Sequence, residues 1–106
     1  MSFRFLEGAR NEFKEAVDYY ERQRRGLGDE LETEVFAAIA RATHNPTSYE
    51  SFDPGIYRIP VQRFDYNIYY VVEGDTLVIA AVMHNRRRPG YWKRRLRRRK
   101  TMTCYK

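Results

Sequence analysis

The sequence predicts an α+β fold: an N-terminal strand, an antiparallel helix hairpin packed on an antiparallel β-sheet, and a basic C-terminal segment. Three observations predict it. Apolar residues recur at three- and four-residue steps from Leu6 to Ala42, they turn to alternation and continuous apolar runs after Phe52, and turn-forming residues mark the boundaries. A chain of 106 residues with 42% hydrophobic and 15% aromatic content is one domain able to bury a core. The domain is expected to span residues 1–95, with a basic tail over 96–106.

Phe3 and Phe5 alternate with polar neighbours and read as a brief strand. Leu6, Ala9, Phe13, Ala16, Val17 and Tyr20 then form one helical stripe, with Glu12, Glu15, Asp18 and Glu21 on the solvated face. Arg22, Arg24 and Arg25 suit the negative pole of this helix, and Gly26 stops it. A second stripe runs through Leu27, Leu31, Val35, Ala38, Ile39 and Ala42, with Asp29 and Glu30 in the first turn and Asn45-Pro46 at the end. So short a connection makes the two helices antiparallel. Ile56–Phe64 reads as a strand in which Pro60, lacking an N–H, demands an edge or an irregularity. Asp65 begins a reversal, Ile68–Val72 is the next strand, and Glu73-Gly74-Asp75-Thr76 is a hairpin turn. Leu77–Met83 is apolar on both faces and reads as a central strand under the helices.

The single cysteine, Cys104, excludes an intrachain disulfide, and a reducing compartment is expected. No apolar run approaches about 18 residues and the N-terminus turns charged within four residues, so we expect a cytoplasmic protein with no membrane segment. His44 and His84 are the only histidines, and no glycine-rich phosphate loop or Ser/Cys nucleophile motif is present. Neither metal nor other cofactor is expected. Glu12/Glu15 and Glu30/Glu34 read as solvated helix faces, and His44 as part of a helix end. The net charge of +6 is uneven: residues 1–83 carry −5, and residues 84–106 carry +11 with no acid at all. A basic end of this kind meets nucleic acid or an acidic protein segment.

The informative constellation lies where the last strand runs out. His84 is followed by Arg86, Arg87, Arg88, Pro89, Tyr91, Trp92 and Arg95, and Arg58 and Arg63 are expected on the same side of the sheet. Guanidinium groups pair bidentately with phosphate or carboxylate, and aromatic plates stack on bases or pack on a partner. Arginine with aromatics is also the composition of protein-interface hot spots. Tyr91 and Trp92 carry a second reading, in which an aromatic pair after a Pro-Gly turn folds back to cap the sheet.

On these residues the chain resembles the RelE/ParE superfamily of type II toxin–antitoxin toxins, also called plasmid-stabilisation proteins. The matching pieces are AVDYYERQRRGLGDELETEVFAAI and GIYRIPVQRFDYNIYYVVEGDTLVIAAVMHNRRRPGYWKRR, with signature positions at Arg58, Arg63-Phe64-x-Tyr66, Ile68-x-Tyr70 and His84-x-Arg86-Arg87-x-Pro89-x-Tyr91-Trp92. The resemblance spans roughly residues 3–95. It implies a small α+β toxin held inactive by a cognate antitoxin. In the RelE-like branch such toxins cut mRNA on the ribosome; in the ParE-like branch they poison DNA gyrase.

Metal-free RNA cleavage needs a group to activate the 2′-OH, cations for the phosphate and a proton for the leaving oxygen. The nuclease branch implies roles for Arg58, His84, Arg87 and Tyr91. This chain, however, has Pro60 and Asn67 where that branch carries a lysine and an arginine, and Phe64-Asp65-Tyr66 in place of Phe-Pro-Tyr. The ParE-like reading is therefore favoured: a gyrase-directed toxin whose target- and antitoxin-binding surface comprises Arg58, Arg63, Arg86, Arg87, Arg88, Tyr91, Trp92 and Arg95. The alternatives are the ribosome-dependent endonuclease, a degenerate toxin, and a nucleic-acid-binding module working through the arginine tail.

Overall fold

The computed structural model describes residues 1–87 and 90–96. Arg88, counted in the expected binding surface, and residues 97–106 of the expected basic tail lie outside the described residues. The elements run β1 (Ser2–Phe5), α1 (Glu7–Gln23), α2 (Leu27–His44), β2 (Glu50–Asp53), β3 (Ile56–Val61), β4 (Tyr66–Glu73) and β5 (Thr76–His84). The α+β architecture is the expected one.

The helix hairpin closes through Gly26, whose φ of 88° lies in the left-handed region that glycine adopts without strain. The Glu21 carboxylate accepts from the N–H groups of Gly26 and Gly28, each at 3.0 Å, and so ties the end of α1 to the start of α2. A Cβ on Gly28 would lie 2.8 Å from the Val17 carbonyl oxygen, so the helices approach this closely only at glycine. Ala9, Phe13 and Ala16 of α1 and Leu31, Val35, Ala38, Ile39 and Ala42 of α2 face the sheet.

The sheet order is β1-β5-β4-β3-β2. β3, β4 and β5 form the antiparallel meander, and β5 lies between two strands, as its two apolar faces require. β1 joins β5 in parallel, which needs a crossover connection, and the helix hairpin is that crossover. β2 is an additional four-residue strand, absent from the sequence reading. It pairs only with Ile56, Tyr57 and Arg58, so at Pro60 the far side of β3 is locally an edge and the missing N–H leaves no gap in the ladder. β3 ends at Val61 instead of Phe64, because the chain turns through Arg63 at a φ of 72°.

Two cores result. The hairpin covers Ile59, Val61, Ile68, Tyr70, Leu77, Ile79 and Val82. On the other face lie Tyr69, Ala80, Ala81 and Met83, covered by Trp92 and Leu96 of the C-terminal segment. A bulge helps to create this second core. Tyr69 pairs with Ala81 and Tyr70 with Ile79, so Ala80 is the extra residue and both alanines join the same cluster. Among the described residues no helix is long and apolar enough to cross a membrane.

Candidate functional site

Strand alternation assembles a cavity of about 400 Å³ on the sheet face away from the hairpin. β3 contributes Arg58 and Pro60, and β4 contributes Asn67 and Tyr69, each pair two residues apart and therefore on one face. Arg58 stands opposite Tyr69 in the register, and Pro60 opposite Asn67. Glu50 borders the cavity from β2, and His84, Asn85 and Arg87 border it where the chain leaves β5. Three residues expected at the site, Arg58, His84 and Arg87, are thus brought together.

Each of these is already engaged, in a different way. Arg58 donates through Nε to Glu50 Oε1 at 3.0 Å and through Nη2 to the same oxygen. The hydrogen bond to Glu50, and then one to Tyr69, raises the Arg58 pKa above its ordinary value, so the guanidinium is a permanent cation. His84 Nδ1 accepts from the Arg86 N–H at 3.1 Å, and the imidazole meets the Tyr66 ring edge-on at 5.2 Å. Arg87 is exposed; its guanidinium lies 5.5 Å from the centre of the Tyr91 ring and has no carboxylate partner among the described residues. Asn67 and Asn85 bond to each other through their side-chain amides.

Tyr91 is not part of the cavity. Its ring is flanked by Arg87 and, at 5.6 Å, by Arg95, and its hydroxyl donates to Glu12 Oε2. Burial first, and the Glu12 hydrogen bond second, push the phenol above its ordinary pKa, so it is a neutral donor committed to Glu12. Glu12 is the residue the sequence reading missed. It was assigned to the solvated face, yet its side chain is only 10% exposed and accepts four hydrogen bonds. They come from Tyr91, from the Val82 N–H at 3.0 Å, and from Arg95 Nη1 and Nη2 at 3.0 and 2.9 Å. Arg95 Nη1 also donates to the Ala80 carbonyl at 3.0 Å. Lys93 pairs with Asp53 on the opposite border of the segment and lies 5.3 Å from the Phe52 ring centre.

Two expected surface residues are placed elsewhere. Trp92 is fully buried, 4.8 Å from Tyr69 and 5.7 Å from Phe52 between ring centres, and presents nothing to a partner in this arrangement. The folded-back reading of the Pro-Gly-Tyr-Trp stretch therefore describes it. Arg63 does not share a face with Arg58. It pairs with Glu30 at 2.6 Å and Glu34 at 3.6 Å on α2. An odd separation along a strand already points two side chains to opposite faces, and the left-handed turn at Arg63 completes the divergence. Glu30 and Glu34, read as solvated, are the anchors of that turn. Arg86 is exposed beside the cavity, whereas Arg95 is held to Glu12.

With this geometry established, comparison with known proteins is decisive at the family level. The family model described as the ParE toxin of type II toxin–antitoxin system, parDE, matches residues 3–89. The chain belongs to the ParE toxin family. The matched stretch holds both helices, β2 to β5, all of β1 but Ser2, and the cavity, while Tyr91, Trp92 and Arg95 follow it. A solved structure titled "Chromosomal ParDE TA system from P. aeruginosa" superposes with a TM-score of 0.68 at 15% identity, covering 79% of this chain and 95% of that one. At that identity the likeness is one of fold, and it supports a ParE-like architecture. No curated protein matches the chain.

Proposed function

We propose that this ParE-family chain is the toxin of a type II toxin–antitoxin pair, that it acts on DNA gyrase, and that an acidic segment of a cognate antitoxin neutralises it by lying across the Arg58–Arg87 face. The family match supports the toxin role, and the ParDE title of the similar structure supports an antitoxin partner. One observation carries the choice of a protein target over RNA cleavage: the Tyr91 hydroxyl is bound to Glu12 outside the cavity. A metal-free nuclease needs proton donors and acceptors converging with its cations on one phosphate. Here the cations converge and the phenol does not.

Supercoiling and cleavage assays with purified gyrase test the reading. Stoichiometric protein is expected to block supercoiling or trap cleaved DNA, and coexpressed antitoxin to reverse it. No effect at stoichiometric excess ends the gyrase assignment.

The endonuclease remains the second reading because Arg58, His84 and Arg87 do border one cavity. Primer extension on translated message after induction decides it. Cleavage lost in a His84→Ala, Tyr91→Phe double variant assigns those roles; unchanged cleavage removes them.

A further inference from the structure

We infer that the Arg58–Arg87 cavity is a carboxylate subsite that seats one Asp or Glu side chain of an acidic peptide, with Glu50 as its built-in competitor. This rests on the antitoxin-docking reading above and adds the chemistry of a single contact within it.

The cavity already holds a carboxylate, and holds it imperfectly. Both Arg58 donors converge on the one Glu50 oxygen, whereas a guanidinium saturates a carboxylate by a parallel pair of bonds to two oxygens. The Glu50 side chain is 62% exposed and stands on the edge strand, so it can swing away into water without unpacking anything. Across the cavity the Arg87 guanidinium lies against the Tyr91 ring and has no carboxylate partner among the described residues. Two guanidinium groups and one carboxylate leave the site with one positive charge, which a single incoming carboxylate neutralises. Asn67 donates its amide to the Asn85 carbonyl, so the Asn85 amide nitrogen is a further neutral donor bordering the space.

A nucleic acid fits the same site less well. Sequence-tolerant binding of single strands relies on exposed aromatic faces for stacking. Trp92 is buried, and the Tyr91 ring, 44% exposed, already has the Arg87 and Arg95 guanidinium groups against it and lies outside the cavity. The Glu50 charge beside the cavity also repels a strand carrying a phosphate at every step. A peptide presents its charges singly and needs no stacking platform.

The test uses the full 106-residue chain and three capped probes: a dodecapeptide alternating Asp and Ala, the same peptide with Asn for Asp, and a single-stranded DNA dodecamer. Affinities come from calorimetry at low salt, with arginine Nε resonances followed by NMR. The Asp peptide is expected to bind and to shift the Arg58 and Arg87 resonances, and the Asn peptide to bind at least about tenfold more weakly. Variants give opposite signs. Glu50→Gln, by removing the competitor, is expected to tighten the Asp peptide about threefold to tenfold, and Arg87→Gln to weaken it about tenfold. Thermal unfolding of each variant confirms that the fold persists. Equal binding of the two peptides, weaker binding by Glu50→Gln, or indifference to Arg87→Gln overturns the inference. So does tighter binding of the oligonucleotide with the same variant dependence, which assigns the cavity to phosphate. If a cognate antitoxin still neutralises Arg87→Gln at the wild-type ratio, the docking reading survives and only the subsite falls.

Discussion

Removing the Trp92 indole empties the space between Phe52 and Tyr69 and exposes the alanine-lined part of the second core. Trp92→Ala is expected to destabilise the domain by about 3–5 kcal/mol, read from urea denaturation. Trp92→Phe should cost less, since the buried Nε1 has no hydrogen-bond partner among the described residues to lose. Tyr70, fully buried, contributes to the alkaline limit. Its hydroxyl donates to the Pro46 carbonyl at 2.7 Å, and burial pushes its pKa up to about 12. A phenol whose pKa is raised by folding contributes stability that is complete below the unfolded value near 10 and disappears as pH climbs through the folded value. Tyr70→Phe should therefore flatten the fall in stability between about pH 10 and pH 12, while losing about 1 kcal/mol at neutral pH with the hydrogen bond. The burial of Trp92 was only half legible in the sequence. The Pro-Gly break pointed to a fold-back, but the ring that receives the indole, Phe52, lies in a strand that four residues were too few to announce.

Between elements, the Glu12 cluster solves a problem that β1 creates. β1 ends at Phe5 opposite Ile79, so β5 continues for five residues with one edge unpaired by any strand among the described residues. Glu12 accepts from the Val82 N–H on that edge, and Arg95 donates to the Ala80 carbonyl, which closes it with side chains. The same contacts fasten the C-terminal segment, with Lys93–Asp53 holding its other border. Glu12→Ala leaves the Val82 donor unpaired and strips Arg95 of its carboxylate, with only the Ala80 carbonyl and the Tyr91 ring still facing the guanidinium, and is expected to cost about 2–3 kcal/mol. Hydrogen exchange at the Val82 amide should speed up and Trp92 fluorescence should shift to the red, both without loss of helical circular dichroism. Gly8→Ala should reproduce part of this, because its new Cβ would lie 2.5 Å from the Arg95 guanidinium and force it off Glu12. Periodicity made both helices and the β3–β5 meander readable, since each buries a long apolar pattern. It hid β2, whose residues are mostly polar, and it placed Glu12 in water because a helical pattern says nothing about a segment returning from 83 residues later. The cavity was readable in its arginines, which charge alone singles out, and unreadable in Glu50, which is an ordinary polar residue until the register sets it opposite Arg58.

On the scale of the whole molecule, the basic charges divide into fastened and free. Arg58, Arg63, Lys93 and Arg95 each have a carboxylate within the fold, whereas Arg86 and Arg87 have none among the described residues. Residues 97–106 add five further cations and no acid by sequence alone. Charges that contact nothing in the bound state act on the encounter, by raising the local concentration of an anionic partner, and their effect is removed by salt. Charges inside a contact act on dissociation instead. Truncation after Leu96 removes the five tail cations and keeps the cavity, so the two roles separate cleanly. For the alternating Asp peptide, the truncated chain is expected to associate about tenfold more slowly at low salt, with dissociation changed less than about twofold. Near 1 M salt, where screening acts over about 3 Å, the association rates of the two chains should converge. Stopped-flow measurements at several ionic strengths provide both rates. A truncation that speeds dissociation and leaves association untouched would make the tail part of the contact, and the docking surface would then extend beyond the Arg58–Arg87 face.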